Sequence, residues 1–198
     1  MEKSVYEVGS TYDYPPGAPM TSEQSPIRID WVPTGLWPGQ LGLTFAPGKK
    51  GGSVYQPGVT HDRDMLTDMR TLAQQGAGVI APLLEDFEFD LLGMDGYHDA
   101  AGTHGLEVVP YTIPDGRAPH DPDDFASYLD ELMTHLLEGR RVIVHCRGGL
   151  GRAGLTAACL LVQAGMDADS ALALVRQARS PHAVETAEQE AFLQAFAQ

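Results

Sequence analysis

Cysteine is scarce in this chain: two residues among 198. Two thiols cannot build a disulfide framework, and a reducing compartment is the expected setting. Basic charge is also scarce. Lys and Arg number 13 against 27 Asp and Glu, for a formal net charge of −14. That balance argues against nucleic acid and anionic membrane as partners, although a local field can oppose the global one. No apolar run reaches membrane-spanning length. The opening "MEKSVYEVGSTYDYPPGAPM" lacks the apolar h-region of a secretory leader, so a cytoplasmic chain is expected. Internal repeats are absent. The histidines show no HExxH spacing, and neither a metal nor another cofactor is expected. "GGLGRAGLT" has no lysine where a nucleotide-binding P-loop needs one.

What is present is an ordinary globular composition, 43% hydrophobic, long enough to bury one core. Residues 1–24 are polar and rich in Pro, Gly and Ser, and read as a flexible arm; residues 25–198 read as one domain. "IRIDWV" (27–32), "QLGLTFAPG" (40–48), "GVIAPLL" (78–84), "LEVVPYTI" (106–113) and "RVIVH" (141–145) read as strands. Residues 49–58, "KKGGSVYQPG", read as a loop. Helices are expected over about 62–75, 121–138, 151–164, 169–179 and 186–197, with one or two short ones between 85 and 104. Strands alternating with helices indicate an α/β layer fold.

The stretch "VIVHCRGGLGRAGL" (142–155) concentrates chemistry. A buried strand ends at Cys146, a glycine-rich turn follows, and a helix begins near Gly151. Backbone N–H groups of Arg147, Gly148, Gly149, Leu150 and Gly151 can turn inward, because glycine tolerates the dihedrals required. The helix N-terminus adds partial positive charge. Five residues separate Cys146 from Arg152, whose planar fork can fold back toward the sulfur and hold two phosphate oxygens. Arg140, Arg141, Arg147 and Arg152 reverse the local charge. Such surroundings should hold Cys146 as a thiolate at neutral pH, both nucleophile and cradle partner.

Phosphoryl transfer to a thiolate leaves an alkoxide that needs a proton. "YTIPDGRAP" (111–119) follows an expected strand and carries Asp115 in a Pro-Asp-Gly turn, a suitable place for a closing acid. Pro-Asp-Gly is also simply a good turn. Asp121, Asp123 and Asp124 are rivals, but they suit the N-cap and first turn of the next helix.

These residues resemble the cysteine-dependent protein phosphatases. "HCRGGLGRAG" is similar to their His-Cys-x5-Arg loop. The closest resemblance is to the kinase-associated branch, also described as cyclin-dependent kinase inhibitor 3-like dual-specificity phosphatases. It rests on Gly148–Arg152, "LGLTFAPGKK", "IPDGRAP" and "ETAEQEAFL" (185–193), and spans about residue 25 to the C-terminus. The resemblance implies a protein tyrosine phosphatase-like fold: a central mixed, mostly parallel sheet flanked by helices. It implies that Cys146 forms a phosphocysteine intermediate, that residues 147–152 bind the phosphate, and that Asp115 serves as general acid and then general base. His145 would orient the loop and tune the thiolate, or be a satisfied core histidine. Gln189 would position water, or serve only in a Thr186-x-x-Gln189 capping box.

Two departures stand out. The family usually carries Ser or Thr after the loop arginine, and Ala153 here predicts slower hydrolysis of the intermediate. Arg147 lies beside the nucleophile; it would favour polyanionic substrates or point to solvent, and solvent is the expectation. Cys159 reads as core packing. The expected substrate is a phosphorylated protein bearing phosphoserine, phosphothreonine or phosphotyrosine. A phosphorylated small molecule or lipid is the alternative. From other classes, a rhodanese-like sulfurtransferase and a non-catalytic phosphoprotein-binding module are the rivals. Oligomeric state and any kinase partner are not fixed by the sequence.

Overall fold

The structure, a computed structural model, describes residues 17–198. Its sheet is built from β1 (Asp30–Trp31), β2 (Gln40–Thr44), β5 (Val79–Pro82), β6 (Glu107–Val108) and β7 (Arg141–His145). The strand order is β1-β2-β7-β5-β6, antiparallel only at the β1–β2 edge. β7 therefore lies at the centre with parallel neighbours on both sides. Alternate residues enter two different cores. Val142 and Val144 join Leu41, Leu43, Val79 and Ala81 on one face, while Ile143 joins Ile80 on the other. Burial on both faces explains why this strand reads as a continuous apolar run.

The first core is covered by α4 (Pro122–Leu137), α5 (Gly151–Gln163), α6 (Ala168–Ala178) and α7 (Ala187–Phe196). The second is covered by α1 (Met65–Gln74) and α3 (Tyr97–Thr103), with α2 (Asp86–Leu91) leading into it. Four of the helices start where a side chain supplies an acceptor. Asp64, Asp121, Asp167 and Thr186 cap α1, α4, α6 and α7 through their side chains. Asp121 accepts from the N–H groups of Asp123 and Asp124, which places those three acids in a helix start rather than in a reacting site.

Three differences from the sequence reading have clear causes. The strands expected over 27–32 and 106–113 shrink to two residues each of regular ladder, beyond which pairing continues only through single bonds such as Val32 N to Leu41 O, Val109 N to Ile80 O and Tyr111 N to Pro82 O. The loop expected over 49–58 contains β3 (Lys50–Gly52), which pairs antiparallel with β4 (Thr60–Asp62). Both strands of this ribbon are polar and largely exposed, so no period of two marks them. The first sixteen residues of the expected arm lie outside the described residues. Its remainder is docked rather than loose: Met20 is buried and exchanges backbone bonds with Thr60 and Asp62 along β4.

Candidate active site

The turn between β7 and α5 is held open from outside. The carbonyl of Cys146 accepts from His145 Nδ1 at 3.0 Å. That of Arg147 accepts from Ala46 N at 3.2 Å, and Arg179 donates to the carbonyls of Gly148 and Gly149 at 3.0 and 3.1 Å. Leu150 O receives Val184 N at 3.2 Å and Gly154 N at 2.9 Å. In a trans peptide the N–H points opposite to the preceding carbonyl. Pinning the carbonyls of 146–150 outward therefore turns the amides of 147–151 toward the concave side. Glycine is required here for space as well as for dihedral freedom. Gly149 has φ +71°, and a Cβ there would lie 2.1 Å from Thr44 O. A Cβ on Gly148 would lie 2.1 Å from the Tyr55 ring.

Arg152 opens α5 and folds under this bowl, 1% exposed. Its Nη1 donates to Glu88 Oε2 at 2.7 Å and to Ile113 O at 3.0 Å, while Nη2 donates to Glu88 Oε1 at 2.9 Å. Nη2 also meets Asp115 Oδ1 at 3.0 Å. Burial works against the guanidinium charge; the bonds to Glu88 and the charges of Cys146, Glu88 and Asp115 outweigh it and raise its pKa. The fork expected to hold two phosphate oxygens is thus occupied on one edge by Glu88. Its Nε is buried and has no partner among the described residues, which leaves that edge for an incoming anion.

Cys146 is 3% exposed and lies close enough to Arg152, Lys49 and Tyr55 to interact electrostatically with each. His145 is fully buried behind it. A carbonyl can only accept, so Nδ1 carries the proton bonded to Cys146 O, and Nε2 accepts from Tyr97 Oη at 2.7 Å. Burial pushes His145 down to about 4, against the pull of its bond to Cys146. The ring is therefore a neutral brace on the nucleophile's own peptide. Cys159 sits in the apolar middle of α5, where burial alone pushes its thiol up.

Asp115 projects from a turn whose Gly116 has φ +72°, and its side chain is 66% exposed. The start of α7 secures this turn. Thr186 Oγ1 donates to Gly116 O, Gln189 Nε2 to Arg117 O, and Ala118 N to Glu188 Oε1, each at 3.1 Å. Gln189 also forms the expected capping box with Thr186, and its Oε1 accepts from Glu185 N at 2.9 Å. Both ends of its amide are in use, so it braces the acid turn against the cradle.

Arg147 is half-buried, and its Nη2 approaches Gly52 O at 3.4 Å. It lies across β3 instead of pointing to bulk solvent, because that ribbon stands where the sequence reading placed a loop.

Sequence reasoning missed three residues at the site. Glu88 belongs to an ambiguous acidic stretch; its only local signal is an i, i+3 acid pair, and a Glu85–Glu88 capping box does form there. Tyr55 and Glu185 carry no sequence signal for their contact. The Glu185 carboxylate accepts both the Tyr55 hydroxyl and the Gly151 N–H. Desolvation, helped by Asp115, raises its pKa against those two bonds. An internal carboxylate thus already accepts one of the inward amides, which shows what kind of group the bowl takes. Among the described residues no cluster of His, Cys, Asp and Glu could hold a metal ion, and no helix is long and apolar enough to cross a membrane.

Known proteins resemble this chain in sequence and in fold. The family description Cyclin-dependent kinase inhibitor 3 matches residues 1–172. Cyclin-dependent kinase inhibitor 3 of Rattus norvegicus and of Homo sapiens are each 29% identical over 191 residues, covering 94% of this chain and 86% of theirs. Among solved structures, kinase associated phosphatase with its catalytic-site cysteine replaced by serine superposes with a TM-score of 0.77. It is 28% identical, with 87% of this chain and 95% of that one covered. Tk-PTP in its active form gives a TM-score of 0.64 at 27% identity, covering 80% and 92%.

Proposed function

The chain belongs to the cyclin-dependent kinase inhibitor 3 family of cysteine-dependent, dual-specificity phosphatases, and from that membership we propose how its own residues carry the reaction. Cys146 attacks the phosphorus of a phosphorylated side chain, forming an S–P bond as the P–O bond to the leaving hydroxyl breaks. The amides of residues 147–151 and the unpartnered Nε of Arg152 hold the three equatorial oxygens, whose charge must be stabilised as transfer proceeds. Asp115 gives its proton to the leaving oxygen, then takes one from the water that cleaves the phosphocysteine. Glu88 fixes the guanidinium plane, and His145 fixes the peptide bearing the sulfur. Glu185 must yield Gly151 N–H to the phosphate, and its hydrogen bond to Tyr55 gives the carboxylate a partner to keep when it does.

The observation that supports this most strongly is the bowl itself: outward carbonyls, inward amides and an unpartnered buried Nε around one sulfur. Asp115 beside Arg152 separates it from a sulfurtransferase, which has no use for an acid turn. The substrate is a phosphoprotein, as the kinase-associated relatives suggest. A phosphopeptide panel with p-nitrophenyl phosphate as the small reference substrate tests this. Hydrolysis lost in Cys146→Ser is expected; thiosulfate:cyanide transfer without phosphate release would overturn it.

A further inference from the structure

A cavity of about 80 Å³ is lined by Lys49, Tyr55, His61, Arg63, Gly148 and Arg179. It is strongly cationic within a chain of net charge −14. Two of its cations already have counter-ions: Arg63 meets Asp68 at 2.8 Å and Arg179 meets Asp30 at 2.7 Å. Lys49 makes no ion pair with a carboxylate among the described residues, and the opposing group that acts on it is Cys146. The lysine is buried, and its ammonium makes one long bond, 3.4 Å, to Arg147 O. Arg63 is 1% exposed, and its Nη1 is buried without a partner among the described residues, as is His61 Nδ1. Both cations stand over Phe45, Lys49 Nζ at 4.4 Å from the ring centroid and the Arg63 guanidinium at 4.9 Å.

A buried cation without an acceptor is costly, and native interiors normally supply a partner. Here the cost shows in the titration. Burial, then Arg63 and Arg179, pull Lys49 down to about 7, and burial with Lys49 and Arg63 pulls His61 down to about 3. An anion in the cavity would satisfy Nζ and Nη1 together. The volume exceeds the roughly 30 Å³ share of one water and is on the scale of one tetrahedral oxyanion.

We propose that this cavity is a second anion subsite that receives a further phosphate of a doubly phosphorylated peptide whose first phosphate enters the bowl at Cys146. Gly148 and Leu150 belong to the bowl and also line the cavity, so the two sites share a wall. The substrate half of the proposal rests on the phosphatase reading above; the anion site itself does not.

Two measurements test it. Crystals of Cys146→Ser soaked in selenate should show anomalous density between Lys49 and Arg63 as well as in the bowl. Kinetics with the unmodified protein should show a KM about tenfold lower for a doubly than for a singly phosphorylated peptide, equal to roughly one charge-assisted hydrogen bond. The ratio of the two KM values, which a general loss of turnover leaves unchanged, should fall to about one in Lys49→Met, and Lys49→Arg should keep it at about ten. If Lys49→Met fails to fold, the soak and the Lys49→Arg comparison still decide. Selenate in the bowl alone overturns the subsite. Selenate in the cavity with equal KM values, or with a preference that survives Lys49→Met, overturns its use by substrate. Selenate in the cavity without p-nitrophenyl phosphate hydrolysis would uphold the anion site while removing the phosphatase reading.

Discussion

Two free cysteines lie on either side of the first turns of α5: Cys146 just before the helix and Cys159 within it. Both are buried, 3% and 0% exposed, so burial does not distinguish them. What differs is the class of atom around each. Cys159 meets apolar side chains, and desolvation is the whole of its electrostatics. Cys146 sits at the end of the central strand, where the chain must turn, and the turn brings peptide dipoles and a guanidinium to the sulfur. The lesson is that a thiol's chemistry is set by backbone direction. The carbonyls of residues 146–150 are held outward by partners from His145, the segment after β2, α5 and the 179–184 segment, and inward amides follow.

The largest effect expected from this contrast is on the sulfur itself. Cys146→Ser should lower turnover of p-nitrophenyl phosphate by about 10⁴-fold or more, whereas Cys159→Ser should leave it within about twofold. Equal losses in steady-state kinetics would erase the distinction. Next is the acid. Asp115→Asn should slow transfer about 10²-fold for alkyl leaving groups and far less for p-nitrophenol, whose departure needs no proton. A loss independent of leaving group would assign Asp115 to holding Arg152 only. Glu88→Gln should come third, near tenfold in kcat/KM, because one oxygen of the bidentate brace is lost while its volume is kept. The cost should fall on oxyanion recognition, so inhibition by inorganic vanadate should weaken in parallel.

The smallest effect is on stability. His145 is held down to about 4 in the fold against an ordinary 6.5. The unfolded chain therefore takes up this proton first as acid is added. The associated stability is full above about pH 6.5 and is lost as pH falls toward 4. Thermal melts from pH 7 to 4 should show a slope that His145→Gln makes shallower. The slope would persist unchanged if other groups carry it.

Much of this site was legible before any coordinates. Cys146, Arg152 and Asp115 announce themselves because a strand, a glycine turn and a capped helix impose local geometry that needs few distant partners. The helices at 121–138 and 186–197 were equally readable, since their N-caps and apolar spacing are local. Glu88, Tyr55, Glu185 and Lys49 were not. Each reaches the bowl from an element distant in sequence, and its role exists only after β2, β5 and β7 align. The ribbon at 50–62 escaped notice for the opposite reason: it has no buried face to impose a period, so nothing in its sequence records the pairing.

The claim on which the account depends is that Cys146 carries the phosphate between the two chemical steps. Acid-quenching the enzyme during turnover of a phosphopeptide, followed by mass spectrometry of the peptide containing residue 146, tests it directly. Ala153 lacks the hydroxyl that eases thiolate departure, so the account predicts a phosphoryl adduct on Cys146 that accumulates and becomes scarcer in Ala153→Ser. An adduct on another side chain, or turnover with no adduct and no change in Ala153→Ser, would contradict it.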